Sequence, residues 1–363
     1  MHRILIATGG TGGHIYPGLV TAEELRRRGC SVMFIGAFGP AQQKINDAGF
    51  PCVSIAVKGF VAKRSGEKAA AIGAMVKAFV ACLGIIRRER PAVVLGFGGY
   101  SSFPVVMASV CSGVPVVLHE QNAVPGQANK ALALFARRVA VGFRETVGAF
   151  SKGKAVWTGN PLRLFDALPS RDKAREELGL DPRTATVLVF GGSQGSRALN
   201  ACVAGVFAVI PAGIKVQVIH MTGREDPGAV KARYQELGVA ALVRGYMENM
   251  ALAYAAADLV VGRAGAGTVT ELGLLGIPSV LIPYPGANDH QKFNARVLER
   301  LGMASIIEEK LLRQDILRDK IFSALRREPS PAEQARVREQ LRGEFIPDGA
   351  KRLCDELLRG VDA

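Results

Sequence analysis

Leu259-Val260-Val261 runs through Gly262 into Arg263-Ala264-Gly265-Ala266-Gly267-Thr268-Val269-Thr270-Glu271. A short apolar run, a turn of small residues and a helical pattern over Val269–Leu275 read as strand, tight turn and helix. Small residues let the backbone approach a pyrophosphate, and the helix start offers N–H groups that no intrahelical carbonyl claims. Glu271 falls about one turn inside, where a carboxylate can accept from both ribose hydroxyls. An early acidic residue can also merely complement the helix dipole. Glycines and acid occurring together favour the ligand reading.

The same unit recurs in both directions. Upstream, Thr186–Phe190 is an apolar run ending in Gly191-Gly192-Ser193-Gln194-Gly195, and further strands are expected at Lys215–His220, Leu242–Arg244 and Ser279–Ile282. Farther upstream, Arg3–Ala7 ends in Gly9-Gly10-Thr11-Gly12-Gly13-His14, with a helix expected over Pro17–Arg28 and a strand over Ser31–Ile35. Ala92–Leu95 ends in Gly98-Gly99-Tyr100, and Pro115–Leu118 in His119-Glu120-Gln121-Asn122. Apolar strands alternating with helices predict an α/β chain of two doubly wound parallel-sheet domains, hinged near residue 160. In such sheets the loops leaving the carboxyl ends of the strands build the ligand crevice. The charged, periodic stretch Ala332–Arg359 predicts terminal helices broken near Pro347.

Several chemistries are excluded. The first turn has Ile15 where a G-x-G-x-x-G fingerprint needs its third glycine, and no acidic residue follows Ser31–Ile35 to hold an NAD ribose. There is no P-loop and no D-x-D to seat a divalent metal. Asp289 and Gln291, after Pro283–Pro285, are placed at a crevice rim where they could read sugar hydroxyls or simply start a helix.

Charge is uneven. Residues 1–158 carry 19 Lys and Arg against 7 Asp and Glu, whereas residues 159–363 carry 27 against 25. A basic half points to an anionic partner. No aromatic-interleaved strand pattern suits base stacking, so nucleic acid is not expected. The helix expected over Lys68–Arg90 places Ile72, Met75, Val76, Phe79, Val80, Leu83 and Ile86 at helical spacing. Lys77 in its middle would cost roughly 2.5–3.5 kcal/mol in a bilayer, which argues against a span. Lys58, Lys63, Arg64, Lys68, Arg87, Arg88 and Arg90 around it suit contact with anionic lipid, with the apolar stripe packed inward. Six dispersed cysteines without C-x-x-C suggest buried thiols in a reducing compartment, and no signal peptide is expected.

Gly9–His14, Gly98–Tyr100, His119–Asn122, Gly159-Asn160-Pro161, Gly191–Gly195 and Arg263–Glu271, in this order, resemble the MurG family over residues 3–300. Members transfer N-acetylglucosamine (GlcNAc) from UDP-GlcNAc to a lipid-linked muramyl-pentapeptide during peptidoglycan synthesis. The resemblance implies a GT-B fold, two Rossmann-like domains facing a central cleft. Residues 1–159 would take the acceptor and face the membrane, and residues 160–340 would bind the donor, with a helix near 341–363 packing back on the first domain. Thr11, Gly12 and Gly13 would meet the donor from the first domain, while Asn122, Arg163 and Ser193 would hold its sugar and phosphates. Met247 would cap the uracil through its backbone; Ala266, Gly267, Thr268, Val269 and Thr270 would bind the pyrophosphate, Glu271 the ribose and Gln291 the GlcNAc. Gly267 stands where the family often has a bulkier residue. Tyr100, His119 and Glu120 would bind the acceptor. The implied partners are UDP-GlcNAc, the undecaprenyl-linked acceptor, an anionic membrane surface on the cytoplasmic side of the inner membrane and other cell-wall synthesis proteins.

Inverting transfer needs a base at the attacking hydroxyl, positive potential at the leaving diphosphate and exclusion of water. No metal or other cofactor is expected. His14 is the candidate base, because a helix N-terminus disfavours protonated imidazole; His119 and Glu120 are its rivals. Glycosylation of a different lipid, a sugar-nucleotide epimerase and a non-enzymatic membrane or nucleic-acid binder are the competing readings.

Overall fold

The computed structural model describes residues 2–9, 12–57, 65–162, 168–192, 194–286, 289–359 and 361, with only the backbone of Gly12 and residues 65–71. The chain forms two compact units, one of residues 1–163 and 346–363, the other of residues 164–345.

The first unit holds a parallel sheet of β1 (Arg3–Ala7), β2 (Ser31–Gly36), β3 (Cys52–Ser54), β4 (Val93–Gly96), β5 (Val116–Glu120), β6 (Arg138–Val141) and β7 (Ala155–Trp157), in spatial order β3-β2-β1-β4-β5-β6-β7. The second holds β8 (Ala185–Phe190), β9 (Val216–Met221), β10 (Ala241–Arg244), β11 (Leu259–Gly262), β12 (Ser279–Leu281) and β13 (Ala304–Ile306), in order β10-β9-β8-β11-β12-β13. Both are doubly wound Rossmann-like orders, and they reverse direction between β1 and β4 and between β8 and β11. Registers Ala7↔Gly96 and Phe190↔Gly262 bring the paired strand ends level at those points. Core strands such as Ile4–Ala7 and Leu259–Val261 are wholly buried, as helices on both faces require.

Four sequence expectations are corrected. The first helix begins at Gly12 rather than near Pro17 and carries Pro17 in its second turn, at the loss of one backbone hydrogen bond. β5 continues through His119 and Glu120, which therefore belong to the strand and not to the turn after it. The helix after β11 starts at Ala266, three residues before Val269, so Glu271 lies in its second turn. Last, the helix Ser65–Glu89 buries only part of its large apolar stripe: Ile86 enters the core with Phe79 and Leu83 half-buried against it. It packs through Ala78, Cys82 and Ile86, while Ile72, Val76 and Val80 stand 53%, 56% and 60% exposed. Small residues let it approach the neighbouring helix Phe103–Cys111, and only Ile72, Val76 and Val80 of the stripe are left outward. Of the cysteines, Cys30, Cys82 and Cys354 are buried, Cys52 and Cys202 half-buried, and Cys111 exposed.

The tail forms helices Pro331–Glu344 and Gly349–Leu358. The first stays in the second unit against the helix Ala266–Leu275. The second joins the first unit, where Leu353, Cys354 and Leu357 enter the core beside Ile15, Leu19 and Leu25. Each of its two buried leucines contributes roughly 1.5–3 kcal/mol. Arg28 Nη1 donates to Asp355 Oδ1 at 2.6 Å, and Arg137 Nη2 donates to the carbonyls of Glu356 and Leu357 at 3.3 and 3.2 Å.

Candidate active site

In the second unit the turns Gly191–Gly195 and Arg263–Gly265 leave β8 and β11, at the reversal of strand order. A Cβ on Gly195 would lie 2.3 Å from the Thr222 carbonyl oxygen, and one on Gly223 2.3 Å from Gly195 Cα. Backbone thus packs on backbone there, which only glycines allow. Behind these turns His220 is buried, with Nδ1 at 3.1 Å from the Tyr234 hydroxyl and Nε2 at 3.1 Å from Asn200 Oδ1. Burial lowers its pKa to about 4, so it is a neutral frame member.

Arg263 is buried and ties three strand ends together. Its Nη1 donates to the Ile282 and Pro283 carbonyls at 3.1 and 3.3 Å, its Nη2 to Ser196 Oγ at 2.7 Å, and it pairs with Glu309. Gln291 adds a further tie, its amide oxygen accepting from Ala264 N at 3.1 Å and Tyr284 N at 3.0 Å. Only its NH₂ group is then left to read a sugar hydroxyl.

With Gly265 as N-cap, the N–H groups of Ala266, Gly267 and Thr268 find no acceptor among the described residues, whereas Val269 N donates to the Gly265 carbonyl at 2.9 Å. Val269 and Thr270 are buried, and Thr270 Oγ1 donates to the Ala266 carbonyl at 2.8 Å, so neither presents a side chain to a ligand. The three residues before them carry the N–H groups that suit an anion. Glu271 is half-buried and accepts from the buried Tyr254 hydroxyl at 2.6 Å. Burial pushes its pKa up to about 7, with the Tyr254 hydrogen bond pulling the other way. Met247 follows β10 and is buried. Ser193 and Arg163 lie outside the described residues.

In the first unit the loops of β1, β4 and β5 gather in the same way. Ser102 Oγ donates to the Ala7 and Gly98 carbonyls at 3.0 and 2.7 Å, fixing the β1 and β4 ends to one another. Thr11 lies outside the described residues, and Gly12 opens the helix with Gly13 exposed beside it. His14 is half-buried in that helix's first turn, and Tyr100 is 43% exposed.

His119 is wholly buried. Its Nε2 is 3.2 Å from the Gly159 carbonyl and must carry the proton, while Nδ1, 3.2 Å from Gln121 Nε2, accepts. Burial holds its pKa down to about 4, and nearby His14 also opposes its protonation. Glu120 accepts from Asn122 N and Nδ2 at 2.9 and 3.1 Å, from Gly126 N at 3.0 Å and from Asn129 Nδ2 at 2.9 Å. With four donors on two oxygens, this carboxylate orders the loop that presents Asn122. The geometry therefore gives both rivals of His14 framing positions. The sequence reading missed Asn129, Tyr254 and the ties made by Arg263; a lone buried asparagine or tyrosine leaves no mark in the pattern.

Two Rossmann-like units, each with Gly-rich turns at its point of strand reversal, define the GT-B class of glycosyltransferases. Residues 4–141 match the glycosyltransferase family 28 N-terminal domain and residues 186–353 its C-terminal domain. The chain is 38% identical over 328 residues, 89% of its length and 90% of the relative's, to the UDP-N-acetylglucosamine–N-acetylmuramyl-(pentapeptide) pyrophosphoryl-undecaprenol N-acetylglucosamine transferase of Thermodesulfovibrio yellowstonii. The enzyme of that name from Pseudomonas syringae pv. tomato is 40% identical over 85% of each chain. The crystal structure of Acinetobacter baumannii MurG matches 99% of this chain and 100% of its own, with 27% identity and a TM-score of 0.78. The chain belongs to the MurG family.

Proposed function

We infer that this chain moves GlcNAc from UDP-GlcNAc to the C4 hydroxyl of MurNAc in undecaprenyl-pyrophosphoryl-MurNAc-pentapeptide, inverting the anomeric centre. The carrying observation is the helix start at Ala266–Thr268, aimed out from the strand reversal with its N–H groups unclaimed, in a chain matching such transferases over about nine-tenths of its length. Those N–H groups and Arg163 take up the charge of the departing diphosphate. Glu271 accepts from the ribose hydroxyls, the Met247 backbone meets the uracil, and the Gln291 NH₂ donates to a GlcNAc hydroxyl. Thr11, Gly12, Gly13, Asn122 and Ser193 complete the donor set. His14 takes the proton of the attacking hydroxyl, with Tyr100 near the acceptor.

No metal is needed in this scheme. The test is transfer of labelled GlcNAc from UDP-GlcNAc to a short-chain analogue of the muramyl-pentapeptide lipid with chelator present. Label in the lipid with matched UDP release supports donor, acceptor and metal independence together. Loss of transfer on chelation, restored by a divalent cation, would overturn the metal-free scheme. No transfer, but intact UDP-GlcNAc binding, would send the acceptor assignment back to other lipids or to epimerisation.

The acceptor is lipid-borne, so the first unit works at the cytoplasmic face of the inner membrane, within reach of other cell-wall synthesis proteins. Among the described residues no helix is long and apolar enough to cross a membrane. Contact is supported by the row Ile72, Val76 and Val80, exposed on one helix face with Lys77 and, toward its end, exposed Arg87 and Arg88. Lys58, Lys63 and Arg64 lie outside the described residues, as does the side chain of Lys68. Replacing Lys63, Arg64 and Lys68 by Glu should release the protein from anionic vesicles; unchanged sedimentation would remove this part of the reading.

A further inference from the structure

Tyr254 lies in the helix Met250–Ala256 that leads into β11, and Glu271 in the helix that follows β11. The strand folds them together, and the Tyr254 hydroxyl meets Glu271 Oε2 at 2.6 Å. The tyrosine is 1% exposed, and its ring packs edge-on against Phe190, centroids 6.1 Å apart and planes at 80°. Phe190 is the last residue of β8, directly before the Gly191–Gly195 turn. A ring held on that side cannot swing away, so the hydroxyl is a fixed donor. Glu271, by contrast, is a half-buried side chain in the second turn of its helix, with more torsions to fix than the tyrosine has. Among the described residues Tyr254 is the one side chain that donates to it.

We propose that Tyr254 is a positioning residue: its hydroxyl anchors one oxygen of Glu271 and so aims the other at the donor's ribose, setting preference for a ribonucleotide over a 2′-deoxyribonucleotide. The inference rests on the ribose role given to Glu271 above. A carboxylate accepting from one fixed protein donor keeps its second oxygen in a defined place. Ribose hydroxyls then gain bonds without the cost of ordering the glutamate, and a sugar lacking the 2′-hydroxyl gains less there, keeping only its 3′-hydroxyl. The same hydrogen bond favours the ionised carboxylate, the better acceptor, against the desolvation that disfavours it. A buried tyrosine that merely needs an acceptor for its hydroxyl would support packing but would not tell the two sugars apart.

The test compares UDP and 2′-deoxy-UDP binding by calorimetry in the wild type, Tyr254→Phe, Glu271→Gln and the double variant, with thermal melting alongside. The wild type should prefer UDP. Tyr254→Phe should weaken UDP by roughly tenfold, as expected for a lost bond to a charged group, and 2′-deoxy-UDP clearly less. Tyr254→Phe in the Glu271→Gln background should add little further loss. Equal weakening of both nucleotides, no weakening of either, or full additivity of the two substitutions would overturn the positioning role. A wild type that binds both nucleotides alike would instead sink the ribose assignment of Glu271 beneath it.

Discussion

The carboxyl ends of β4 and β5 in one unit and of β8 and β11 in the other are built on the same strand order, yet they spend their polar groups in opposite ways. At the first, Glu120 accepts from four N–H donors and His119 uses both ring nitrogens on Gly159 and Gln121. At the second, three first-turn N–H groups find no acceptor among the described residues, and Glu271 is held by a single hydroxyl. Where buried polar groups satisfy one another they stiffen a loop; where a helix start is left unclaimed it can hold a ligand. Position at a strand end is therefore not enough to make a residue reactive.

The largest effect that could break this contrast is at His14, which neighbours the saturated network without belonging to the bonds described in it. His14→Ala should lower turnover by about 10²–10⁴-fold, the usual worth of a general base, with UDP binding almost unchanged. A matched fall in donor affinity would make His14 a positioning group instead. Next comes the saturated carboxylate. Glu120→Ala leaves several buried donors unpaired and should cost roughly 2–4 kcal/mol of unfolding free energy in urea. Glu120→Gln should recover part of that and keep the acidic limb of the pH–rate profile, where loss of a general base would show. A stable Glu120→Gln protein that has lost that limb would return Glu120 to the role of base.

The unsaturated site should respond in binding rather than in stability. Glu271→Gln is expected to weaken UDP by about tenfold while moving the melting temperature little. The smallest effect is in pH. With Glu271 raised to about 7, the group is protonated below that value and ionised above it. Since ribose hydroxyls favour the ionised form, donor affinity should rise severalfold from about pH 6 to pH 8 and release a proton on binding. A pH-independent UDP affinity would remove Glu271 from the ribose.

Much of this was legible in the chain itself, for reasons that differ by element. β1, β4, β8 and β11 are buried on both faces, so they must be near-continuous apolar runs, and each ends at glycines that mark the turn; β5, buried too, ends instead in His119 and Glu120. β3, β7 and β13 have three residues each and are largely half-buried. So little burial leaves no pattern, and only the neighbouring strand selects them. The helix Ser65–Glu89 shows the converse failure. Its apolar stripe could cover the core or face a membrane, and the structure divides it: Phe79, Leu83 and Ile86 pack inward beside the small face of Ala78 and Cys82, while Ile72, Val76 and Val80 stay exposed.

For the site, the sequence alone determined which turns suit phosphate-type chemistry and which family the chain belongs to, because glycine spacing and a helix start are local properties of the backbone. Tertiary structure alone decided what each polar side chain has left to offer. His119, Glu120, Thr270 and Glu271 all sit in motifs of similar appearance. Only the partners brought to them by distant segments, Gly159 to His119, Asn129 to Glu120 and Tyr254 to Glu271, separate a frame from a binding group, because a hydrogen bond already made within the protein is one that no substrate can use.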